Sequence, residues 1–443
     1  MTEHVVLLSI PGLREKDVAG MKNLRELMAG GEITDLAPSF PCVTCPVQAN
    51  MTTGRLPQAH GVVANGFYWR DRHAVEMWTS PNDCIDRPQL WDFLSQHDPS
   101  LTSAVWFPLH AKECDADYVC TPAPVHNPDG SESLWCYTRP PQYYGTLRDR
   151  LGHFPLMNFW GPMAGIKATA WIVDSAVLAA QTWQPRLFYV YLPHLDYAAQ
   201  RSGPDSPPAL KAVAELDEVL GRLAEGFRAA CGERILWLAA GEYTIVPVDD
   251  VTYPNRILRE AGLLKVTETE RGEQLDLMAS QAWTLVDHQF SHVFVAGRDP
   301  AIAARVADLF RGRPGIDEVL VGDELARYGL NHSRSGDLVL ISTPTSWQAY
   351  YWWLDDDRAP DYARTVDIHR KPGYDPVELC FDPILKRIPL DATLIRGSHG
   401  APARDPSQQT VLLASQPGLF AGSTLADTDV FGIVLRQFGA RLG

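Results

Sequence analysis

The chain has 443 residues, of which 45% are hydrophobic and 21% are charged, a composition typical of a globular protein that buries a sizeable core. Its formal net charge of −15, from 39 Lys and Arg against 54 Asp and Glu, would repel nucleic acid and anionic lipid surfaces, so we expect neither partner. Eight scattered cysteines, no secretory leader and no apolar stretch of membrane-spanning length indicate a cytoplasmic protein.

Short apolar and β-branched runs alternate with helical segments along the chain. Residues 209–230 have an amphipathic helical pattern and lie between two such runs, which gives a β-α-β unit. This order predicts a doubly wound, mostly parallel α/β sheet. The predicted strands are Val5–Ile10, Ser103–Phe107, Leu187–Leu192, Arg234–Ala239, His292–Ala296, Glu318–Val321 and Asp337–Ser342.

The pattern changes between about Val251 and Thr343, where the predicted elements are shorter. We interpret residues 251–343 as an inserted cap subdomain and residues 1–250 with 344–443 as the core. The segment that follows, SWQAYYWWLDDDRAPDYARTVDIHRKPGYDP, is dense in aromatic and acidic residues and has two interpretations. It is either a structured loop that packs on a sheet or one wall of a substrate pocket.

Several residues suited to chemistry follow the predicted strands at their carboxyl ends, where parallel sheets bind their ligands. Thr44 stands apart from them at the head of a predicted helix, so it is either a nucleophile or an ordinary N-cap residue. The residues at the strand ends, together with a late histidine between glycines, are Pro11, Asp196, Gln200, Glu242, Tyr243 and His399.

A series of short segments resembles the alkaline phosphatase superfamily, most closely its nucleotide pyrophosphatase/phosphodiesterase branch, over most of the chain. The segments are KNLRELMAGG, PSFPCVTCPVQANMTTGRLPQAHGVVANGFYW, FWGPMAG, YLPHLDYAAQRSGP, SGDLVL and GSHG, in the family's order. The resemblance implies an α/β sheet of the alkaline phosphatase type. It also implies a metal-dependent hydrolase that cleaves phosphodiester or pyrophosphate bonds in a small metabolite. Thr44 matches the nucleophile, and Asn65 and Tyr243 are implied to bind substrate.

The family's metal ligands are only partly retained. The resemblance implies two divalent cations, usually zinc, but position 11 is proline, which has no side-chain donor, and Gln200 and Tyr243 replace imidazoles. Asp196 and His399 match the family's residues.

Other ligand-type residues in the sequence would allow a rebuilt site for one or two ions of zinc, manganese or iron. Asp367 and His369 form an Asp-x-His pattern, which places both side chains on one face of an extended segment. The predicted metal-site residues are Asp196, Glu242, His399, His288, Asp367 and His369.

The sequence leaves functions of different classes open. The first is a metal-dependent hydrolase of a small-molecule phosphoester with Thr44 as nucleophile. The alternative is a catalytically degenerate family member that binds a ligand or partner through the old active-site cleft, and a third interpretation is phosphoryl transfer to another acceptor. Retention of Thr44, Asp196 and His399 favours activity, whereas loss of the carboxylate at position 11 favours the alternative. The sequence does not indicate the oligomeric state.

Overall fold

The computed structural model describes residues 3–126 and 132–440. Its strands are β1 (His4–Ser9), β2 (Glu32–Ala37), β3 (Gly66–Trp69), β4 (Ala74–Met77), β5 (Ser103–Trp106), β6 (Tyr118–Pro122), β7 (Val125–His126), β8 (Glu132–Ser133), β9 (Cys136–Arg139), β10 (Leu187–Tyr191), β11 (Ile235–Ala240), β12 (Val246–Pro247), β13 (Asp250–Thr252), β14 (Lys265–Thr269), β15 (Gly272–Asp276), β16 (Ala282–Asp287), β17 (Phe290–Val295), β18 (Ile316–Val321), β19 (Leu338–Ser342), β20 (Ser346–Gln348), β21 (Gly397–Ser398), β22 (Thr410–Ala414) and β23 (Thr424–Ala426). Its α-helices are α1 (Glu15–Val18), α2 (Lys22–Leu27), α3 (Thr44–Thr53), α4 (Pro57–His60), α5 (Leu90–His97), α6 (Tyr143–Leu151), α7 (Ile166–Trp183), α8 (His194–Ser202), α9 (Pro207–Cys231), α10 (Pro254–Glu260), α11 (Pro300–Phe310) and α12 (Asp429–Gln437).

A nine-stranded sheet in the order β23-β2-β22-β11-β1-β10-β5-β6-β9 forms the centre of the molecule. Five consecutive strands of this sheet, β11 to β6, are parallel to one another. Helices α7 and α9 cover one face, and α3, α5 and α12 cover the other. Because both faces are covered, β1 is buried and reads as a continuous apolar run. The predicted doubly wound sheet is confirmed, and every predicted strand lies within two residues of an observed one.

Local sequence signals explain where the long helix α9 begins. Pro207 occupies its first position, and the hydroxyl of Ser206 caps it by accepting a hydrogen bond from the Ala209 amide. The buried Asp217 of α9 then accepts hydrogen bonds from the backbone amides of Asn23 and Leu24, which ties α9 to α2. Among the described residues, no helix is both long enough and apolar enough to cross a membrane.

The register of the central strands sets the position of the site. Ser9, near the end of β1, pairs with Tyr191 of β10 on one side and with Ala240 of β11 on the other. The carboxyl ends of the three strands therefore lie level with one another. The segments that follow them carry Pro11, Asp196 and Glu242 to the same edge of the sheet.

A second, antiparallel sheet in the order β16-β17-β19-β18 lies within residues 251–343. The two-residue turn between β16 and β17 consists of His288 and Gln289, and His288 has a left-handed backbone with φ 58°. This turn reaches the edge of the main sheet, where the Gln289 amide donates to the carbonyl of His399 at 3.0 Å. The limits of the cap at 251 and 343 stay a prediction.

The aromatic segment after residue 343 belongs to the core of this second sheet. Its five large rings are each at most 1% exposed and share one apolar cluster with β16, β17 and β19. For these five rings, packing on a sheet, the first of the two interpretations drawn from the sequence, is therefore confirmed. They are Trp347, Tyr350, Tyr351, Trp352 and Trp353.

A buried ionic cluster holds the segment from Thr365 to Leu379 in place. The ammonium of Lys371 donates to the Thr365 carbonyl at 2.9 Å and pairs with Asp375 at 2.8 Å and Glu378 at 2.6 Å. All three charged side chains are at most 2% exposed. A buried charge that loses its partner has neither water nor an ion to stabilise it.

We therefore expect Lys371→Met to lower the free energy of unfolding by about 3–5 kcal/mol, because it leaves two carboxylates buried without their cation. Urea denaturation followed by circular dichroism measures the change. The control is Lys211→Met, since Lys211 pairs with Glu215 at the surface, and it should change stability by less than about 1 kcal/mol. A loss of stability as small as the control's would contradict a structural role for the cluster.

A second buried network supports helix α3. The neutral ring of His60 bonds through Nε2 to Oδ1 of Asn50 at 2.7 Å and accepts at Nδ1 from the amide of Val62 at 3.1 Å. Asn50 in turn donates to Asp427 at 2.7 Å. Burial lowers the pKa of His60 to about 3, since the ring has no place for a second proton in this arrangement.

The lowered pKa of His60 predicts a loss of stability in acid. The stabilising effect is complete above pH 6.5 and is lost as the pH falls towards 3, because only the unfolded chain takes up the proton over that range. For this group the slope is about 1.4 kcal/mol per pH unit. Urea unfolding at pH 7, 6 and 5 should show a shallower decline for His60→Gln than for the wild type. The surface variant His97→Gln serves as control, and equal slopes for His60→Gln and the wild type would contradict this assignment.

Candidate active site

Thr44 is the first residue of α3, at the edge where the central strands end. The N-cap is Val43, so Thr44 does not fill the ordinary capping position that the sequence left open. Its hydroxyl instead lies 2.9 Å from the phenol oxygen of Tyr243, and the side chain is 4% exposed. The site thus holds this hydroxyl by a side-chain contact with the segment that follows β11.

The ring of His399 stacks on the ring of Tyr243. Its centroid lies 3.7 Å from that of Tyr243, with 8° between the ring planes. Nδ1 of His399 lies 2.8 Å from the carbonyl oxygen of Cys42. A carbonyl only accepts, so Nδ1 carries the hydrogen and Nε2 keeps an unshared electron pair. Burial, with the neighbouring His288, lowers the pKa of His399 well below its usual range, which keeps the ring neutral.

Asp196 faces that free nitrogen. Its Oδ2 accepts a hydrogen bond from the side-chain amide of Gln200 at 2.9 Å. Its Oδ1 lies 3.8 Å from Nε2 of His399, which is too far for a hydrogen bond. Neither Oδ1 nor Nε2 has a partner elsewhere in the described protein, although both are buried. Burial raises the pKa of Asp196 to about 7. Two atoms that present electron pairs therefore face each other with no donor between them.

Glu242 adds a second buried carboxylate. Its Oε1 accepts from the hydroxyl of Ser9 at 2.6 Å and from the amide of Gln48 at 2.8 Å, and Gln48 is itself held by the Leu109 amide. Oε2 of Glu242 is buried and has no partner among the described residues. Burial raises the pKa of Glu242 to about 8, with a smaller contribution from the nearby Asp196.

The turn between β16 and β17 supplies Asp287 and His288. Asp287 accepts from the amide and side chain of Asn65 at 2.7 and 3.0 Å, and His288 lies 2.6 Å from it through Nδ1. Oδ1 of Asn65 accepts from the amide of Cys45 at 3.0 Å, so all side-chain groups of this predicted substrate-binding residue bond to protein. The ring of His288 lies 3.9 Å from that of His399.

The structure brings together most of the predicted site residues but places two of them in other contacts. Thr44, Asn65, Asp196, Glu242, Tyr243, His288 and His399 form one buried cluster through the contacts above. Asp367 instead pairs with Arg370, and Nδ1 of His369 lies 3.3 Å from the carbonyl of Met77.

The donors present do not fit the family's pair of metals. Pro11 offers no side-chain donor, the phenol of Tyr243 bonds to Thr44, and both ends of Gln200 bond to protein. Across residues 3–126 and 132–440, no three His, Cys, Asp or Glu side chains converge as metal ligands. Among the predicted metal-site residues, the buried ligand atoms without protein partners are Oδ1 of Asp196, Nε2 of His399 and Oε2 of Glu242.

Two residues of this site were not among the predicted site residues, although Tyr374 lies in the aromatic segment for which a pocket wall was one interpretation. Gln48 holds Glu242 from the second turn of α3, and nothing in the segment CPVQAN marks it as different from a helix residue. Tyr374 stacks on His288 at 3.6 Å from a segment distant in sequence, within KPGYDP. Only the three-dimensional fold brings these residues to the cluster.

Comparison with known proteins agrees with this geometry. The family model described as "Type I phosphodiesterase / nucleotide pyrophosphatase" matches residues 5–375. An uncharacterized pyrophosphatase/phosphodiesterase of Schizosaccharomyces pombe is 23% identical over 411 residues, which is 90% of this chain and 68% of that protein.

Solved structures share the fold at lower identity. Murine ectonucleotide pyrophosphatase/phosphodiesterase 5 superposes with a TM-score of 0.64 at 13% identity, over 99% of this chain and 95% of that one. A phosphonoacetate hydrolase from Sinorhizobium meliloti 1021, in complex with phosphonoformate, superposes with a TM-score of 0.62 at 17% identity, over 97% and 94% of the two chains. The alkaline phosphatase type of sheet is therefore confirmed.

The family match covers most of the chain, from the first strand to the segment that carries Tyr374. This match agrees with the order of the family-like segments along the sequence. It also agrees with the structure, in which the carboxyl ends of the central strands lie level. The chain therefore belongs to the type I phosphodiesterase/nucleotide pyrophosphatase family, a family of hydrolases within the alkaline phosphatase superfamily.

Proposed function

We propose that the protein hydrolyses phosphodiester or pyrophosphate bonds in a small cytoplasmic metabolite, with the hydroxyl of Thr44 as nucleophile. The observation that carries the proposal is the unpaired couple formed by Oδ1 of Asp196 and Nε2 of His399, 3.8 Å apart and buried. The His399 ring stacks on Tyr243, which bonds to this hydroxyl. Buried polar atoms without partners cost folding free energy, so they indicate a site that a ligand completes.

Named ligands of the structural neighbours agree with this substrate class. The murine phosphodiesterase has also been solved as an inactive threonine-to-alanine variant in complex with AMP. The bacterial hydrolase holds phosphonoformate, another small molecule with a phosphorus oxyanion. All eight cysteines of the present chain lie in the described ranges and are free, which suits a reducing compartment. We propose no nucleic-acid or membrane partner.

The proposed reaction has two displacements at phosphorus. Oγ1 of Thr44 forms a bond to phosphorus while the bond to the leaving group breaks, and the hydroxyl proton passes to that group, which departs as an alcohol or phosphate. Water then cleaves the Thr44 phosphoester, and one of its protons restores the hydroxyl. Burial raises the pKa of Tyr243 well above its usual range, so its neutral phenol orients the Thr44 hydroxyl rather than removing its proton. The beginning of α3 offers a positive dipole end to the phosphoryl oxygens.

A single divalent cation is compatible with the donors that remain. Asp196 and His399 would hold it, and an imidazole with a carboxylate suits zinc, manganese or iron. When bound, such a cation would supply charge stabilisation to a phosphoryl oxygen. With so few protein ligands, we propose that groups of the substrate complete the site.

One set of observations favours the second candidate, a degenerate family member that only binds a ligand through the cleft. The family's carboxylate and two imidazoles are replaced by Pro11, Gln200 and Tyr243, and the remaining donors do not form a group of three within the described part of the chain. The two experiments below separate the candidates.

We expect Thr44→Ala to reduce hydrolysis by at least about 1,000-fold, because it removes the attacking oxygen. The assay is a panel of phosphodiesters and dinucleotide pyrophosphates with manganese or zinc. Thr53→Ala, on the same helix, removes a buried hydroxyl that donates to the carbonyl of Ala49 and accepts from the backbone amide of Arg55, both outside the site, and it should keep wild-type turnover. If Thr44→Ala keeps more than a tenth of the activity, Thr44 is not the nucleophile.

We also expect purified protein to retain about one divalent cation per chain after dialysis against micromolar manganese or zinc, and His399→Ala to lose it, because the substitution removes one of its two main ligands. Elemental analysis of folded protein measures the content. His97→Ala, at the surface, is the control. Equal metal content in the wild type and His399→Ala, or none in either, would favour the binding protein.

A further inference from the structure

We propose that Tyr374 and Gln200 are positioning residues, which hold the carboxylate of Asp196 so that Oδ1 faces His399. The proposal deepens the proposed function and rests on it for its catalytic meaning. The hydroxyl of Tyr374 lies 2.7 Å from Oε1 of Gln200, and Nε2 of Gln200 lies 2.9 Å from Oδ2 of Asp196. The three side chains thus form one hydrogen-bonded chain, of which Gln200 is fully buried and the other two nearly so.

Hydrogen-bond chemistry fixes the direction of this chain. When Asp196 is ionised its carboxylate only accepts, so in that form the side-chain amide of Gln200 presents its NH₂ group to Asp196. Its oxygen then points to Tyr374, whose hydroxyl must donate. Any other arrangement would place two acceptors against each other in a buried site. Oδ2 of Asp196 is therefore occupied, and Oδ1 is left as the oxygen that faces Nε2 of His399.

The far end of the chain is itself held firmly. The ring of Tyr374 stacks on His288 at 3.6 Å with 16° between the planes and contacts Trp160 with its centroid at 5.7 Å. The indole nitrogen of Trp160 donates to Glu378, which pairs with the buried Lys371. Tyr374 thus lies in a segment that ionic contacts hold in place. The hydrogen-bonded chain of side chains therefore begins at a fixed position.

This arrangement gives position 200 a different role from the imidazole that the family resemblance implied there. Both the oxygen and the nitrogen of the Gln200 side-chain amide bond to protein groups. Gln200 therefore orients Asp196 and does not itself serve as a metal ligand. Partners that orient a metal-binding carboxylate typically change metal affinity or activity by 10–100-fold when they are removed.

The variant Tyr374→Phe tests the chain, because it keeps the ring that stacks on His288 and removes only the hydroxyl. We expect its crystal structure to show the Gln200 amide and the Asp196 carboxylate turned from their wild-type orientation. We also expect affinity for Mn²⁺ alone, measured by calorimetry, to fall by about 10–100-fold. The matched control is Tyr351→Phe, since the hydroxyl of Tyr351 is buried but bonds to no described group, and it should change neither.

Gln200→Leu provides a second route if Tyr374→Phe does not fold. It should displace Asp196 in the same way, and the double variant should bind Mn²⁺ no more weakly than Gln200→Leu, since both changes cut one chain. An unchanged Asp196 carboxylate in the crystal structures of these variants would overturn the proposal. A wild type that binds no Mn²⁺ would refute the proposed cation site instead, and the crystal structures would still decide whether the chain positions Asp196.

Discussion

The site depends on two buried atoms that face each other, Oδ1 of Asp196 and Nε2 of His399. Each presents an unshared electron pair to the other. Each is fixed by its own outward partner, the Cys42 carbonyl for the ring and the Gln200 amide for the carboxylate. At 3.8 Å they do not bond to each other. The arrangement becomes favourable only when a cation, a proton donor or a polar substrate group comes between them.

Aromatic rings build the wall around this couple. Tyr243, His399, His288 and Tyr374 follow one another with centroids 3.6–3.9 Å apart. The hydroxyl of Tyr243, at one end of the stack, bonds to Thr44, and that of Tyr374, at the other end, bonds to Gln200. A stack of this kind is stiff, because each planar ring limits the rotation of the next. It therefore holds the hydroxyl of Thr44 and, through Gln200, the carboxylate of Asp196 at fixed positions.

The part of this site that could be predicted from the sequence is the part that follows strands. Asp196 and Glu242 come directly after apolar runs, and parallel strands with a common register must bring such residues together. Thr44 and His399 were found through the resemblance of whole segments. The sequence could not show that Asp367 and His369 bond elsewhere, since their spacing is compatible with a metal site. Nor could it show Gln48 or Tyr374, because their roles come from contacts between segments far apart in the chain.

The burial of these groups argues against a cleft whose only purpose is structural. Asp196, Glu242 and His399 each keep a buried atom with no partner among the described residues, and burial opposes the charged forms of both carboxylates. Apolar side chains of similar volume at these positions would pack at lower cost, as substitutions of buried ionic groups in other proteins show. The fold is stabilised elsewhere, by the two apolar faces of the main sheet and by paired clusters such as that of Lys371. Three such atoms at the carboxyl edge of the main sheet therefore mark a place where binding energy from a ligand offsets this cost.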